Sequence, residues 1–469
     1  MFYLRYFVMQ AIAKRVRPFI GTRSFYKSAL AVMIPVTIQQ LINNLFNMVD
    51  NLMVGSLDVN GLAMSAVTVA NRPFMIFFGL FFGMTGAAGL MISQYYGAGD
   101  RKTCQGLFSL QLIIGLAASL IFGAVLALFP ESIMRIFVTD PYTIELGVDY
   151  LRIIWLSYIP VAISNTCVFS LRSLGQNRVS MLVSMAAMAV NAVCNFVLIF
   201  GYLGFPAMGV AGAAVGTLIS RLVEMFFYIT LLLRKKTIFR FRFTSFRCLS
   251  RAQMHAFVMK ALPLIANEIL WTCGMNVYFW SYAKISEASL PAVTIGEQIS
   301  QIASVMAMGT SSAVSVLIGT ELGANRLRQA KDNCKKLISM VVCIGLCCVV
   351  LCAVLGTLLP YAYKVTPELR ALATRITITM GAFAPFNFVY GFCFYCMRAG
   401  GDTRSAMLLD SGYMWLVPVP ASVLMALFLP GKVAISTAVL AVQFLMNAKV
   451  AIALMTLKKG RWVKNITIS

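Results

Sequence analysis

The chain has 469 residues, 60% of them hydrophobic and 12% charged, with a mean hydropathy of +0.82. Soluble domains run at roughly 45–50% apolar and about 25% charged, so this composition excludes a soluble enzyme or binding module. The formal charge of +23, from 39 Lys and Arg against 16 Asp and Glu, marks either a nucleic-acid surface or positive loops held on the cytoplasmic side of a membrane protein.

The first 28 residues are basic and amphipathic and lack the compact apolar core and small-residue cleavage site of a signal peptide. They read as a cytoplasmic interfacial segment leading into the first span. Apolar segments follow at 29–54, 62–93, 104–129, 145–171, 178–200, 207–233, 253–283, 290–320, 333–359, 366–397, 405–429 and 433–457. Each is long enough to cross a bilayer, which takes about 20 residues. Twelve spans put both termini on one side. That side carries Arg5 to Lys27, Arg101, Lys102, Arg172, Arg178, the run from Arg234 to Arg251, Arg326 to Lys336, Arg398, Arg404 and Lys458 to Lys464. The opposite loops hold only Arg135, Lys284, Lys364, Arg370 and Lys432. This asymmetry predicts cytoplasmic termini in a multi-pass plasma-membrane protein and removes the nucleic-acid reading.

The basic stretch 234–252 divides the spans six and six. An N-lobe over 29–233 and a C-lobe over 253–457 follow, with a cytoplasmic tail at 458–469. Two loop segments recur at one shift of 226 residues: LRSLGQNR (171–178) with MRAGGDTR (397–404), and ISQYYGA (92–98) with IGTELGA (318–324). Six spans per repeat is an even number, so the halves run parallel. The expected fold is an all-α integral membrane protein of twelve transmembrane helices in two parallel six-helix repeats. Transporters that alternate access about a central site are built this way.

Ionisable groups in hydrocarbon are costly, so each is a functional hypothesis. In the first span Gln40, Asn43, Asn47 and Asp50 recur at three- or four-residue spacing and form one polar stripe. Pro35, fifteen residues before Asp50, removes a backbone hydrogen bond, and the helix is expected to bend there as a hinge. Asn191 and Asn195 share a face of the fifth span, and Thr217 lies in the sixth. A desolvated carboxylate among neutral oxygen donors suits Na⁺, making Asp50 its metal ligand, or a proton loaded and released near neutral pH. The seventh span offers Glu268, five residues after Pro263 as Gln40 is after Pro35, with Thr272 and Asn276 at four-residue steps. Glu297 in the eighth span completes a candidate substrate or proton site. Asn43 and Asn44 serve equally well as interhelical glue. Glu224, three residues from Arg221, reads as neutralised on its own helical turn. The twelve Cys have no C-x-x-C spacing and read as small buried hydrophobes.

On these residues the chain resembles the multidrug and toxic compound extrusion (MATE) family over nearly its whole length. The segments that carry the resemblance are IPVTIQQLINNLFNMVDNLMVG, MISQYYGAGDRK, LRSLGQNR, FGYLGFPAMGVAGAAVGTLIS, LPLIANEILWTCGMNVYFW, VLIGTELGANRLRQAK and MRAGGDTRSAM. It implies an exporter of organic cations and amphipathic drugs driven by entering Na⁺ or H⁺. By the same resemblance Asp50, Asn191, Asn195 and Thr217 match an N-lobe cation site, Pro35 the bending proline, and Glu268 the acid of span seven. Some members carry Asp where this chain has Asn195, and others an acid where Asn387 falls, so the C-lobe here is one carboxylate poorer.

The expected activity is therefore cation-coupled antiport of small cationic or amphipathic molecules, with lipid as the surrounding partner, no nucleic acid and no cofactor beyond the coupling ion. A lipid-linked oligosaccharide flippase of the wider superfamily is the alternative; it calls for a basic cavity, whereas the candidate residues here are acidic or neutral. An integral-membrane enzyme is the remaining class, and the single His255 offers no catalytic constellation.

Overall fold

The computed structural model describes residues 17–57, 62–138, 140–234, 238–240, 242–362, 365–429 and 431–467. Among them there is no strand. Eleven helices are long and apolar enough to cross a membrane, and a pair bent by 44° makes the twelfth. In chain order they are α1 (Arg23–Gly55), α2 (Leu62–Gly97), α3 (Arg101–Leu128), α4 (Pro141–Ser173), α5 (Asn177–Phe200), α6 (Gly209–Leu233), α7 (Arg251–Ile285), α8 (Leu290–Gly323) and α9 (Leu327–Tyr361). The bent pair Pro367–Ala382 and Ala384–Ala399 forms α10, followed by α11 (Thr403–Phe428) and α12 (Ile435–Lys458). The helices match the expected spans to within a few residues. α9 starts before its apolar run because the polar turn LRQAKD continues the same helix. The interfacial reading of the N-terminus falls largely on residues 1–16, outside the described residues.

Helix starts are set by local chemistry. Asp100 caps α3 by accepting from the Thr103 N–H at 3.0 Å and its hydroxyl at 2.6 Å, and Asp402 caps α11 from the Ser405 N–H. Each satisfies a donor that the helix leaves unpaired. A left-handed residue precedes each cap position: Gly99 at φ 83°, Gly175 at 76°, Asn325 at 59° and Gly401 at 78°. Gly175 with Gly401, and Gly99 with Asn325, are partners at the 226-residue shift. The repeat read from sequence is thus also a repeat of backbone conformation.

By packing, the chain forms two compact units. One holds the chain up to Thr37, Ser93–Gly99 and Ala266 onward; the other holds Ile38–Ile92 and Asp100–Ile265. α1 passes between units two residues after Pro35, and α7 two residues after Pro263.

In the first unit, Phe388, Phe392, Met397 and Trp462 belong to a buried core. The segments that recur in sequence pack on each other here. A Cβ on Gly97 would meet the Thr320 backbone oxygen at 1.9 Å, and one on Gly323 would meet the Gln94 oxygen at 1.8 Å. The contact is reciprocal under the repeat shift and requires glycine on both sides. The C-terminal tail closes over it: the Gln94 amide donates to the Ala399 carbonyl at 2.6 Å and accepts from the Ile466 N–H at 2.9 Å.

In the second unit the basic linker is sewn to α3. Gln105 exchanges two hydrogen bonds with the Arg240 backbone, at 2.8 and 2.7 Å, and Phe239 stacks on Phe108. Of the cysteines, Cys273, Cys343 and Cys347 are exposed rather than buried. They lie on apolar helix surface, where lipid accepts a thiol as readily as a core does.

Candidate functional site

The second unit brings the predicted cation-site residues together. α5 and α6 approach closely through Gly212 and Gly216, a small-residue spacing that lets helix backbones meet in lipid. That approach sets Asn191 and Asn195, both buried, against α1. The Asn195 amide nitrogen donates to Asp50 Oδ1 at 2.9 Å. Oxygen and nitrogen of an amide are assigned from their partners. With the Asn191 nitrogen facing the carboxylate, it donates to Asp50 Oδ2 at 2.9 Å and Oδ1 at 3.1 Å. The other amide atom of Asn191 then faces the Thr217 hydroxyl at 3.5 Å. The buried Asn195 Oδ1 has no hydrogen-bond partner among the described residues. That oxygen faces Gly216 of α6, where a Cβ would lie 2.0 Å from it.

A second network lies in the same unit. The buried Gln39 amide donates to Ser184 Oγ at 2.6 Å, and its oxygen accepts from Arg172 at 2.7 Å. Ser184 donates to Glu224 at 3.1 Å, and Glu224 pairs with Arg221 at 3.0 Å. The Glu224–Arg221 pairing expected from their spacing is present. Arg221 also acts electrostatically on Asp50, as does Asp50 on the buried Tyr150 of α4. Sequence reasoning missed Gln39, one position from the half-buried Gln40 it singled out. Gln39 lies about 100° around the helix from Gln40, off the stripe that leads to Asp50. The side chain of Asn47 lies outside the described residues.

In the first unit Glu268 is half-buried on α7, where the Arg398 and Asp410 charges act on it. Thr272 and Asn276 follow Glu268 at successive turns of the helix. Both are exposed and bond back to their own helix, Thr272 Oγ1 to the Glu268 carbonyl and Asn276 Nδ2 to the Thr272 carbonyl, each at 2.8 Å. Glu297 on α8 is half-buried and close enough to Tyr282 to act on it.

Sequence reasoning also missed an ion pair beside Glu268. Lys449 Nζ of α12 reaches Asp410 Oδ1 of α11 at 2.8 Å, with side chains 6% and 13% exposed. Asn267 Nδ2 donates to Asp410 Oδ2 at 3.1 Å, and Ser411 Oγ donates to Asn267 Oδ1 at 2.8 Å. Asp410 sits in a π-helical turn, Leu408–Gly412, a distortion that often marks function in helices. One Asp and one Lys inside adjoining apolar runs were a legible signal.

The family model for MatE matches residues 35–197 and 263–424, once in each half. The chain is 26% identical over 393 residues to the multidrug export protein MepA of Staphylococcus haemolyticus, covering 82% of this chain and 84% of that one. It is 25% identical over 402 residues to the multidrug resistance protein PmpM of Pseudomonas aeruginosa, covering 85% and 83%. The fold matches the outward-facing structure of a multidrug resistance MATE family transporter of the MOP superfamily with a TM-score of 0.81, at 18% identity and over 95% and 97% of the two chains.

Proposed function

The chain belongs to the MatE family of membrane transporters, and on that premise we propose that it is a plasma-membrane antiporter that exports organic cations and amphipathic drugs in exchange for an entering monovalent cation, H⁺ or Na⁺. The observation that carries this reading is the Asp50 cluster. A carboxylate is held by two amides on one helix, with a hydroxyl from the next helix close by.

Cation binding at Asp50 neutralises a charge that the amides otherwise stabilise, which loosens their hold on α1. Pro35 lacks the N–H that would tie it to the preceding turn, so it is where α1 yields. A shift in α1 that lowers drug affinity obliges the drug to weaken cation binding by the same factor. Glu268 supplies a negative charge for a cationic substrate. Orientation by the positive loops places both termini in the cytoplasm.

Everted vesicles test the site. Asp50→Asn keeps the hydrogen-bonding shape and removes the charge, and it is expected to lower substrate-linked cation movement at least tenfold with normal membrane insertion. Wild-type exchange in this variant overturns the assignment. Dye efflux under a Na⁺ gradient alone and then a pH gradient alone identifies the ion.

A further inference from the structure

Asp410 has the makings of a second cation site. Its side chain is only 13% exposed, it accepts from Asn267, and the Lys449 ammonium lies against it. We infer that Lys449 is a resident, tethered cation that fills the Asp410 site and denies it to transported ions, so that this chain couples through the first half alone.

The two halves differ at the matching place. In the first half Gln39 of α1 joins Ser184 of α5 and, through it, Glu224 of α6. In the second half Asn267 of α7 joins Asp410 of α11, which joins Lys449 of α12. At the 226-residue shift Asp410 replaces Ser184, and Arg398 replaces Arg172. The first, fifth and sixth helices of each half are thus tied by one buried polar link, and the second half has gained an acid in the middle of it. A buried carboxylate without a counter-charge is costly, so the substitution requires a cation on the spot. Lys449 supplies it. Its ammonium lies 3.9 Å from the centre of the Tyr390 ring, a face that a cation favours.

The other ionisable groups acting around Asp410 are Glu268 and Tyr278 of α7 and Tyr390 and Tyr395 of α10. Glu268 is a second negative charge, so losing Lys449 leaves two carboxylates with Arg398 as the nearby base. The vacated space then attracts Na⁺, Li⁺ or a proton. Lys449 cannot leave the chain, so while its ammonium stays protonated and paired the site delivers no ion across the membrane. This inference rests on the Asp50 reading only in assigning the coupling ion to the first half.

The test uses the full chain in an Asp50→Asn background, with NaCl, LiCl and acid titrations followed by calorimetry. Asp50→Asn alone is expected to show no saturable Na⁺ or Li⁺ binding. Asp50→Asn with Lys449→Met is expected to gain one site, for Na⁺ and Li⁺ or for one proton, and adding Asp410→Asn abolishes it. No gained site in folded protein overturns the inference. So does binding in Asp50→Asn alone that Asp410→Asn removes, since the site is then open with Lys449 present. If the Lys449→Met protein folds only in high Na⁺, high Li⁺ or acid, the inference stands. If it folds in none of these while the variant that also carries Asp410→Asn folds, the inference falls, because no external cation replaces the ammonium. If neither lysine variant folds, the Asp50→Asn and Asp50→Asn/Asp410→Asn pair decides. Binding in Asp50→Asn that persists in Asp50→Asn/Asp410→Asn counts against the Asp50 assignment and leaves this one intact.

Discussion

Asn195 and Gly216 are fitted to each other. A Cβ on Gly216 would lie 2.0 Å from Asn195 Oδ1, inside any tolerable contact, so the hand that holds Asp50 exists only because position 216 has no side chain. Gly216→Ala is expected to push Asn195 off Asp50 at an overpacking cost of about 1–3 kcal/mol. Cation-linked exchange should then fall while substrate binding to the purified protein remains; unchanged exchange speaks against the amide's role. A second comparison separates the two glutamines of α1. Gln39→Leu leaves Ser184 and Arg172 short of a partner, each such loss costing about 1–3 kcal/mol, whereas Gln40→Leu is expected to stay within about 0.5 kcal/mol. Thermal unfolding in detergent reads the difference. The stripe ending at Asp50 was legible because it follows one helix face, and Gln39 was not, because its partners are 133 and 145 residues away.

At the level of the helix, the crossing of α2 and α8 shows why a sequence repeat survives as two particular glycines. Gly97 and Gly323 each rest on the backbone of the other's helix, and any side chain separates them. Gly79, also on α2, has nothing within 4 Å of its would-be Cβ. Gly79→Ala should therefore be neutral or stabilising, by up to about 1 kcal/mol. Gly97→Ala should lower the unfolding temperature in detergent. Equal effects from the two substitutions would mean that the crossing contributes nothing. Helix spans were predicted well because lipid imposes a length and an apolar composition on each of them. The π-helical turn at Asp410 was not, since its widened hydrogen-bond register leaves no periodic trace in LLDSG.

For the molecule as a whole, the charge balance carries the topology. With twelve spans the basic loops are expected on the side of the termini, and orientation is expected to follow the positive residues. A fluorescent protein that matures only in the cytoplasm, fused after Ser469, is expected to fluoresce, and the same protein inserted in the α11–α12 loop at Lys432 is expected to stay dark. The reverse pattern would invert the proposed direction of transport. The sequence by itself determined the membrane class, the twelve spans and the six-plus-six repeat, and it singled out the carboxylate Asp50, because hydrophobic length and the cost of buried charge are properties of a single segment. Only the tertiary structure decided what a carboxylate meets from other helices: Asp50 two amides, Glu224 a serine beside the arginine of its own turn, Asp410 a lysine 39 residues away. Whether a buried charge is open to an ion or already neutralised depends on neighbours from other helices, and helix spacing alone cannot supply them.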